Sequence, residues 1–165
     1  MADTTTQPAG TAPAEPRRLS PQDHRRLAVD LFNETWTLLD RASRTAAEID
    51  AMIHTAHASR YHWQHAANST PNNLARGEWQ CSRVYAVLGR GEPAIWHARR
   101  VLEICEGNGI RDWDLAYAFE ALARASRVSG DEDAAQEWLS RARAAADGIA
   151  EEDDREHLLS DLATI

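Results

Sequence analysis

The chain has 165 residues and a formal net charge of −8, a length that fits one domain able to bury a core without covalent staples. All 18 basic residues are arginine and lysine is absent, which excludes Schiff-base catalysis and a Walker-type phosphate loop, since each needs a lysine. Residues 1–100 hold 12 arginines and 10 acids, whereas residues 101–165 hold 6 and 16; the acidic second half repels a phosphate backbone, so nucleic acid is not an expected partner despite Arg17, Arg18, Arg25 and Arg26.

Residues 1–19 are rich in Ala, Thr and Pro with almost no large apolar side chain, and the expectation there is a disordered tail. A single helical domain is expected over residues 20–165. Ser20-Pro21 opens helix 1, with serine as cap, proline at the first helical position and Asp23 completing a capping box. Leu27, Leu31, Thr35, Leu38 and Leu39, with Phe32 and Trp36, give helix 1 a buried stripe up to about Asp40. Helix 2, from about Thr45 to Asn68, places Ile49, Met52, Ile53, Ala56 and Trp63 inward. Ser69-Thr70-Pro71 ends it and starts helix 3, which reaches Leu88. Helix 4 opens at Gly91-Glu92-Pro93 and closes near Asn108-Gly109. Helix 5 (Asp112 or Asp114 to Val128), helix 6 (Asp131 to Asp147) and a short acidic helix 7 (about Glu151 to Ala163) complete the chain, the last as a terminal cap.

The most informative pattern is a repeat. Gly130 follows Gly89 by 41 residues, and after each glycine the same offsets carry Ala94 or Ala135, Ala98 or Leu139, and Val101 or Ala142. The pattern Ala75, Tyr85, Gly89, Ala94 and Val101, then Phe119, Leu122, Ala123, Gly130, Ala135 and Ala142, resembles the tetratricopeptide repeat over about residues 74–145. The strings HASRYHW, LARGEWQCSRVYAVL, HARRVLEICEGNGI and DLAYAFEALARA are also similar to a group of small bacterial repeat-like proteins, in keeping with the Ala- and Arg-rich usage of a GC-rich bacterial genome. Two positions depart from the repeat: Glu78 stands where the family carries an aromatic, and Ser82 where it carries glycine or alanine. The resemblance implies an all-α fold of antiparallel hairpins stacked as a right-handed superhelix, about seven helices with a C-terminal capping helix. Helices 1 and 2 would be a degenerate first copy. A four-helix metal bundle is the rival architecture, and the Gly89/Gly130 repeat argues against it.

In such repeats the first helix of each pair lines a concave groove, and there the resemblance puts Arg76, Trp79, Arg83, Glu120, Arg124 and Arg127. Arginine forks beside a tryptophan suit a carboxylate, hence a peptide, a protein partner or a small acidic ligand. The plainer reading of Glu120 and Arg124, four residues apart, is a helix-surface pair. A second constellation lies on helix 2, where Asp50, His54, His57 and Tyr61 fall along one line at about 100° per residue. Asp50, His54 and His57 could bind one transition-metal ion with help from His62, Glu78 or His97, and Tyr61 could then donate a proton; the plainer reading is a polar face. Cys81 and Cys105 have apolar neighbours and read as reduced packing residues in a reducing compartment.

The expectation from sequence is therefore a cytoplasmic binding module with no cofactor and no membrane span. The alternative is a metal-dependent enzyme or metal binder on helix 2. A third reading fills the groove with residues 1–19 or with a second copy, giving a homodimer.

Overall fold

The computed structural model describes residues 18–165. The tail expected at 1–19 lies outside them apart from Arg18 and Leu19, exposed coil ahead of the first helix. Seven helices follow: α1 (Pro21–Leu39), α2 (Ala46–His65), α3 (Pro71–Val87), α4 (Gly91–Gly107), α5 (Asp112–Val128), α6 (Glu132–Ala146) and α7 (Glu152–Leu162). The described residues contain no strand.

Local chemistry sets these boundaries. The Ser20 hydroxyl accepts from the Asp23 amide at 3.1 Å while the Asp23 carboxylate accepts from the Ser20 amide at 3.1 Å, a reciprocal capping box. Thr45 and Glu48 repeat the device at the start of α2. At the other ends, Gly89 (φ 69°) and Gly130 (φ 79°) take the left-handed conformation that closes α3 and α5, where a side chain would be strained. The glycine spacing read from the sequence thus marks equivalent corners of two hairpins.

α1 with α2, α3 with α4, and α5 with α6 form antiparallel hairpins, and successive hairpins meet through α2–α3 and α4–α5. Further contacts join α1 to α3 and α3 to α5, making those three helices one continuous row. The short α7 packs on α5 and α6 and closes the C-terminal end, as expected of the cap. No helix among the described residues is long and apolar enough to cross a membrane.

The repeat positions after each glycine are the packing positions. Ala94 and Ala135, Ala98 and Leu139, and Val101 and Ala142 are all buried. Small side chains at these sites let α4 and α6 approach their partners closely, which accounts for an interior built so largely of alanine. Ser82, a departure from the repeat pattern, is buried and donates its hydroxyl to the Ala94 carbonyl at 2.9 Å, so the polar atom is satisfied inside the hairpin. A main core runs through α3 to α7, and a smaller one under α1 and α2 holds Leu38, Met52, Ala56, Cys81 and Val84. On α2 the buried side chains are Met52, Thr55, Ala56, Ser59 and Trp63; Ile49 and Ile53 are half-buried. The Ser59 and Thr55 hydroxyls bond to the Ala28 carbonyl and to Thr35, a polar seam between α1 and α2 that hydrophobic periodicity does not reveal.

Candidate functional site

Two constellations gather on α3, and they occupy roughly opposite faces of it at about 100° per residue. Arg76, Trp79 and Arg83 face α5; Glu78, Cys81 and Tyr85 face the junction with α2 and α4.

The α5-facing constellation is organised by Glu120. This carboxylate is fully buried, and it accepts hydrogen bonds from Trp79 Nε1 (2.9 Å), Arg83 Nη1 (3.1 Å) and Arg124 Nε (2.6 Å). Arg83 and Arg124 occupy equivalent positions of consecutive hairpins, 41 residues apart, and converge on the same oxygen. The Glu120–Arg124 pair is thus part of a buried network rather than a solvated helix-surface pair. α7 supplies the next layer: Asp161 accepts from Arg83 Nη2 (3.1 Å) and from the Tyr117 hydroxyl (3.0 Å) through its carboxylate, and from Arg124 Nη2 (3.0 Å) through its carbonyl. Burial, together with the neighbouring Asp161 charge, raises the Tyr117 phenol above its ordinary range. Arg127 stands apart and pairs with Glu132 at 2.9 Å, its N–H not aimed at the oxygen.

Beside this network lies a cavity of about 190 Å³ lined by Phe32, Trp36, Trp79, Trp113 and Tyr117, with Arg76, Asp114 and His157 among its polar residues. Trp36 lies 5.6 Å from Trp79, Trp79 meets Tyr117 edge-on at 5.5 Å, and Tyr117 lies 4.5 Å from Trp113, so the walls are aromatic on several sides. Arg76 holds Asp114 in a fork through Nε (2.7 Å) and Nη2 (3.1 Å) and stacks over Trp113 at 4.9 Å. Its side chain remains 49% exposed, against 17% for Arg83 and 13% for Arg124. Arg76 is therefore the α5-facing arginine best placed to meet a ligand. The Trp113 indole N–H is shielded from solvent without an acceptor among the described residues.

On the opposite face, His97 of α4 bonds through Nδ1 to Glu78 Oε2 at 2.7 Å, and Arg60 Nε of α2 bonds to Glu78 Oε1 at 2.8 Å. His57 Nε2 lies 2.9 Å from the Tyr85 hydroxyl, and the His57 and His97 rings are 5.1 Å apart. One donor atom each from His57, Cys81 and His97 lies within 4.8 Å of the others. Burial works to raise the Glu78 pKa, but the hydrogen bond from His97 and the charge of Arg60 outweigh it and hold the carboxyl below its ordinary value. Burial, then the neighbouring His97, lowers His57, and burial drives the Cys81 thiol up. Gly77 makes the Arg60 contact possible: a Cβ there would lie 2.8 Å from Arg60 Cδ, within the helix-to-helix approach.

The line of polar residues expected on α2 divides. His57 turns toward His97 and Glu78, while Asp50 and His54 are exposed on α2. Tyr61 is also exposed and packs its ring 4.8 Å from His65. His62 lies in a separate cluster, its Nδ1 2.8 Å from His24 Nδ1, with His65 close by. The sequence pattern gives Cys81 and Trp36 only packing roles and does not single out Tyr117 or Asp161. For Cys81 a signal existed, because it stands three residues after Glu78 and therefore on the same helical face.

Fold and sites together define a class: an all-helical stack of hairpins with an aromatic-walled cavity on one face of its central helix and an imidazole–thiol–carboxylate cluster on the other. Comparison with protein families, curated proteins and solved structures finds no match.

Proposed function

We propose that the chain is a tetratricopeptide-like binding module, its hairpins stacked as a right-handed superhelix, that takes a peptide or small ligand carrying an aromatic group next to an acidic one. The reading rests on one observation: a cavity walled by Trp36, Trp79, Trp113 and Tyr117 with the half-exposed Arg76 among its lining residues. A volume of about 190 Å³ suits one ring-sized group rather than a whole cofactor. Aromatic walls give a flat apolar ring large contact area, and an arginine beside them gives its carboxylate a bidentate or charge-assisted partner. The fork to Asp114 uses Nε and Nη2, which leaves Nη1 outside it. Arg83 and Arg124, the other two arginines of this face, spend their donors on Glu120 and Asp161. Their part is to hold the wall in place.

The test is an NMR titration of the protein's indole N–H signals with three probes that share one ring and differ in the charge attached to it: indole-3-acetate, indole and tryptamine. The expected order of affinity is indole-3-acetate, then indole, then tryptamine, with Trp36→Ala weakening all three. Arg76→Gln should reduce indole-3-acetate to the affinity of indole or below it, because Asp114 in the lining then loses its arginine partner. No saturable shift with any probe, or shifts unchanged in Trp36→Ala, overturns the reading; tryptamine binding tightest overturns its acidic half.

A further inference from the structure

The α3–α4 and α5–α6 hairpins carry different chemistry at equivalent places. Advancing 41 residues turns Glu78 into Phe119, Cys81 into Leu122 and His97 into Trp138. In the later hairpin these are a core: Leu122 is buried, and Phe119 stacks on Trp138 at 5.9 Å with 18° between the rings. In the earlier hairpin the stack is replaced by a carboxylate–imidazole hydrogen bond of 2.7 Å, and the leucine by a thiol. α2 then adds His57, with its ring 5.1 Å from that of His97. Three nonpolar positions of one repeat have become metal-ligand chemistry in the other, around a point where a fourth group, an imidazole, arrives from a different helix. Packing alone does not call for this, because the apolar version of the same hairpin folds alongside it.

We propose that His57, Cys81 and His97 form a zinc(II) site at the α2–α3–α4 junction, with Glu78 as the outer carboxylate that orients His97. The donors already lie within 4.8 Å of one another; a tetrahedral zinc site holds them roughly 3.3–3.8 Å apart, so closure takes a movement of about 1 Å, which rotation of the two half-buried imidazoles supplies. Glu78 occupies Nδ1 of His97 and leaves Nε2 as the ligand atom, the carboxylate–histidine–metal arrangement that fixes tautomer and ring direction. Arg60 holds the outer carboxylate from its other oxygen. Tyr85 holds the His57 ring in the same way from its hydroxyl. A thiolate with two imidazoles selects a borderline-soft ion such as zinc over magnesium or calcium. Binding exchanges the Cys81 thiol proton for the metal: the S–H bond breaks, a S–Zn bond forms, and one proton leaves to solvent for each ion taken up. Three protein ligands leave one coordination position for water. The donor residues of this site are separate from those that line the aromatic cavity.

The test uses untagged full-length protein, stripped with chelator and titrated with cobalt(II), whose spectrum reports both geometry and sulfur ligation. The expected result is one equivalent bound, with a thiolate-to-cobalt charge-transfer band and the intense visible bands of a four-coordinate site, all displaced by zinc. Cys81→Ser should remove the charge-transfer band, and His97→Ala should remove tight binding; far-ultraviolet circular dichroism verifies that each remains helical. Glu78→Gln should keep the stoichiometry and weaken affinity about 10- to 100-fold. His62→Ala, in the surface cluster with His24 and His65, should leave the spectrum unchanged. A wild-type protein without the charge-transfer band, or one whose equivalent is lost in His62→Ala and kept in His97→Ala, overturns the proposal. Should Cys81→Ser unfold, His97→Ala and the wild-type spectrum decide the matter.

Discussion

Replacing Glu120 with alanine is the sharpest test of how the α5-facing side of α3 is held together. The carboxylate is fully buried and receives Trp79 Nε1, Arg83 Nη1 and Arg124 Nε, from two helices of consecutive hairpins. Its removal leaves an indole N–H without its acceptor and two guanidinium groups, 17% and 13% exposed, short of a counter-charge. Removing one partner of a buried ion pair costs about 3–5 kcal/mol, because the remaining charge stays desolvated. Arg83 and Arg124 keep Asp161 as a second partner, which favours the lower end of that range. For a chain of this length each kcal/mol moves Tm by about 2–4 °C, so Glu120→Ala should lower Tm by roughly 6–12 °C. Glu120→Gln keeps an oxygen for Trp79 and should lose about half as much. Differential scanning calorimetry with urea midpoints measures both. A Tm change under about 2 °C for the alanine variant would place the pair among solvated helix-surface pairs of about 0.2–0.5 kcal/mol and refute the buried-network account.

Three further outcomes are expected. Because the His57 pKa is lowered in the folded chain, by burial first and by His97 next, the unfolded chain binds the extra proton sooner; stability of the metal-free protein should fall as pH drops below about 6.5, and His57→Gln should reduce the change in urea midpoint between pH 7.5 and 5.5, leaving the part that comes from the likewise lowered His62. Gly77→Ala should destabilise by about 1–2 kcal/mol net in urea unfolding despite alanine's helix preference, because the new Cβ meets Arg60 at 2.8 Å; a stabilised variant would show that Arg60 yields freely. Asp161→Ala, which removes the acceptor of the Tyr117 hydroxyl and a partner of Arg83 and Arg124, loosens the cavity wall and should weaken indole and indole-3-acetate alike in the same NMR titration.

Helix positions were largely legible in the sequence because their signals are local. Ser20-Pro21, Thr70-Pro71, Gly89 and Gly130 act within a turn of where they stand, and the boundaries they imply fall within a few residues of those observed. The α5-facing arginines were legible by residue type, since the repeat register gives direction along a helix. What register does not give is depth. Glu120 is buried because α3 and α7 close over it, and Asp161 reaches Arg83 from 78 positions away; neither fact has a local signature. Helix 2 illustrates the same limit. Asp50, His54, His57 and Tyr61 share a line on a cylinder, yet of these His57 meets His97 of α4 through its ring while Asp50, His54 and Tyr61 are exposed. Cys81 looked inert because its sequence neighbours are apolar. Its significant neighbours come from α2 and α4.

α3, a helix of 17 residues, carries part of the aromatic cavity on one side and part of the His57–Cys81–His97 cluster on the other. Were the proposed ligand and the proposed metal both to bind, a displacement of α3 that widened the cavity and changed the donor spacing of the cluster would link the two equilibria thermodynamically. Whatever factor the metal imposes on the affinity of a cavity ligand, that ligand imposes on the affinity of the metal. Metal content and ligand occupancy would then be two readings of one conformational coordinate, and each would shift with the other in any preparation of the protein.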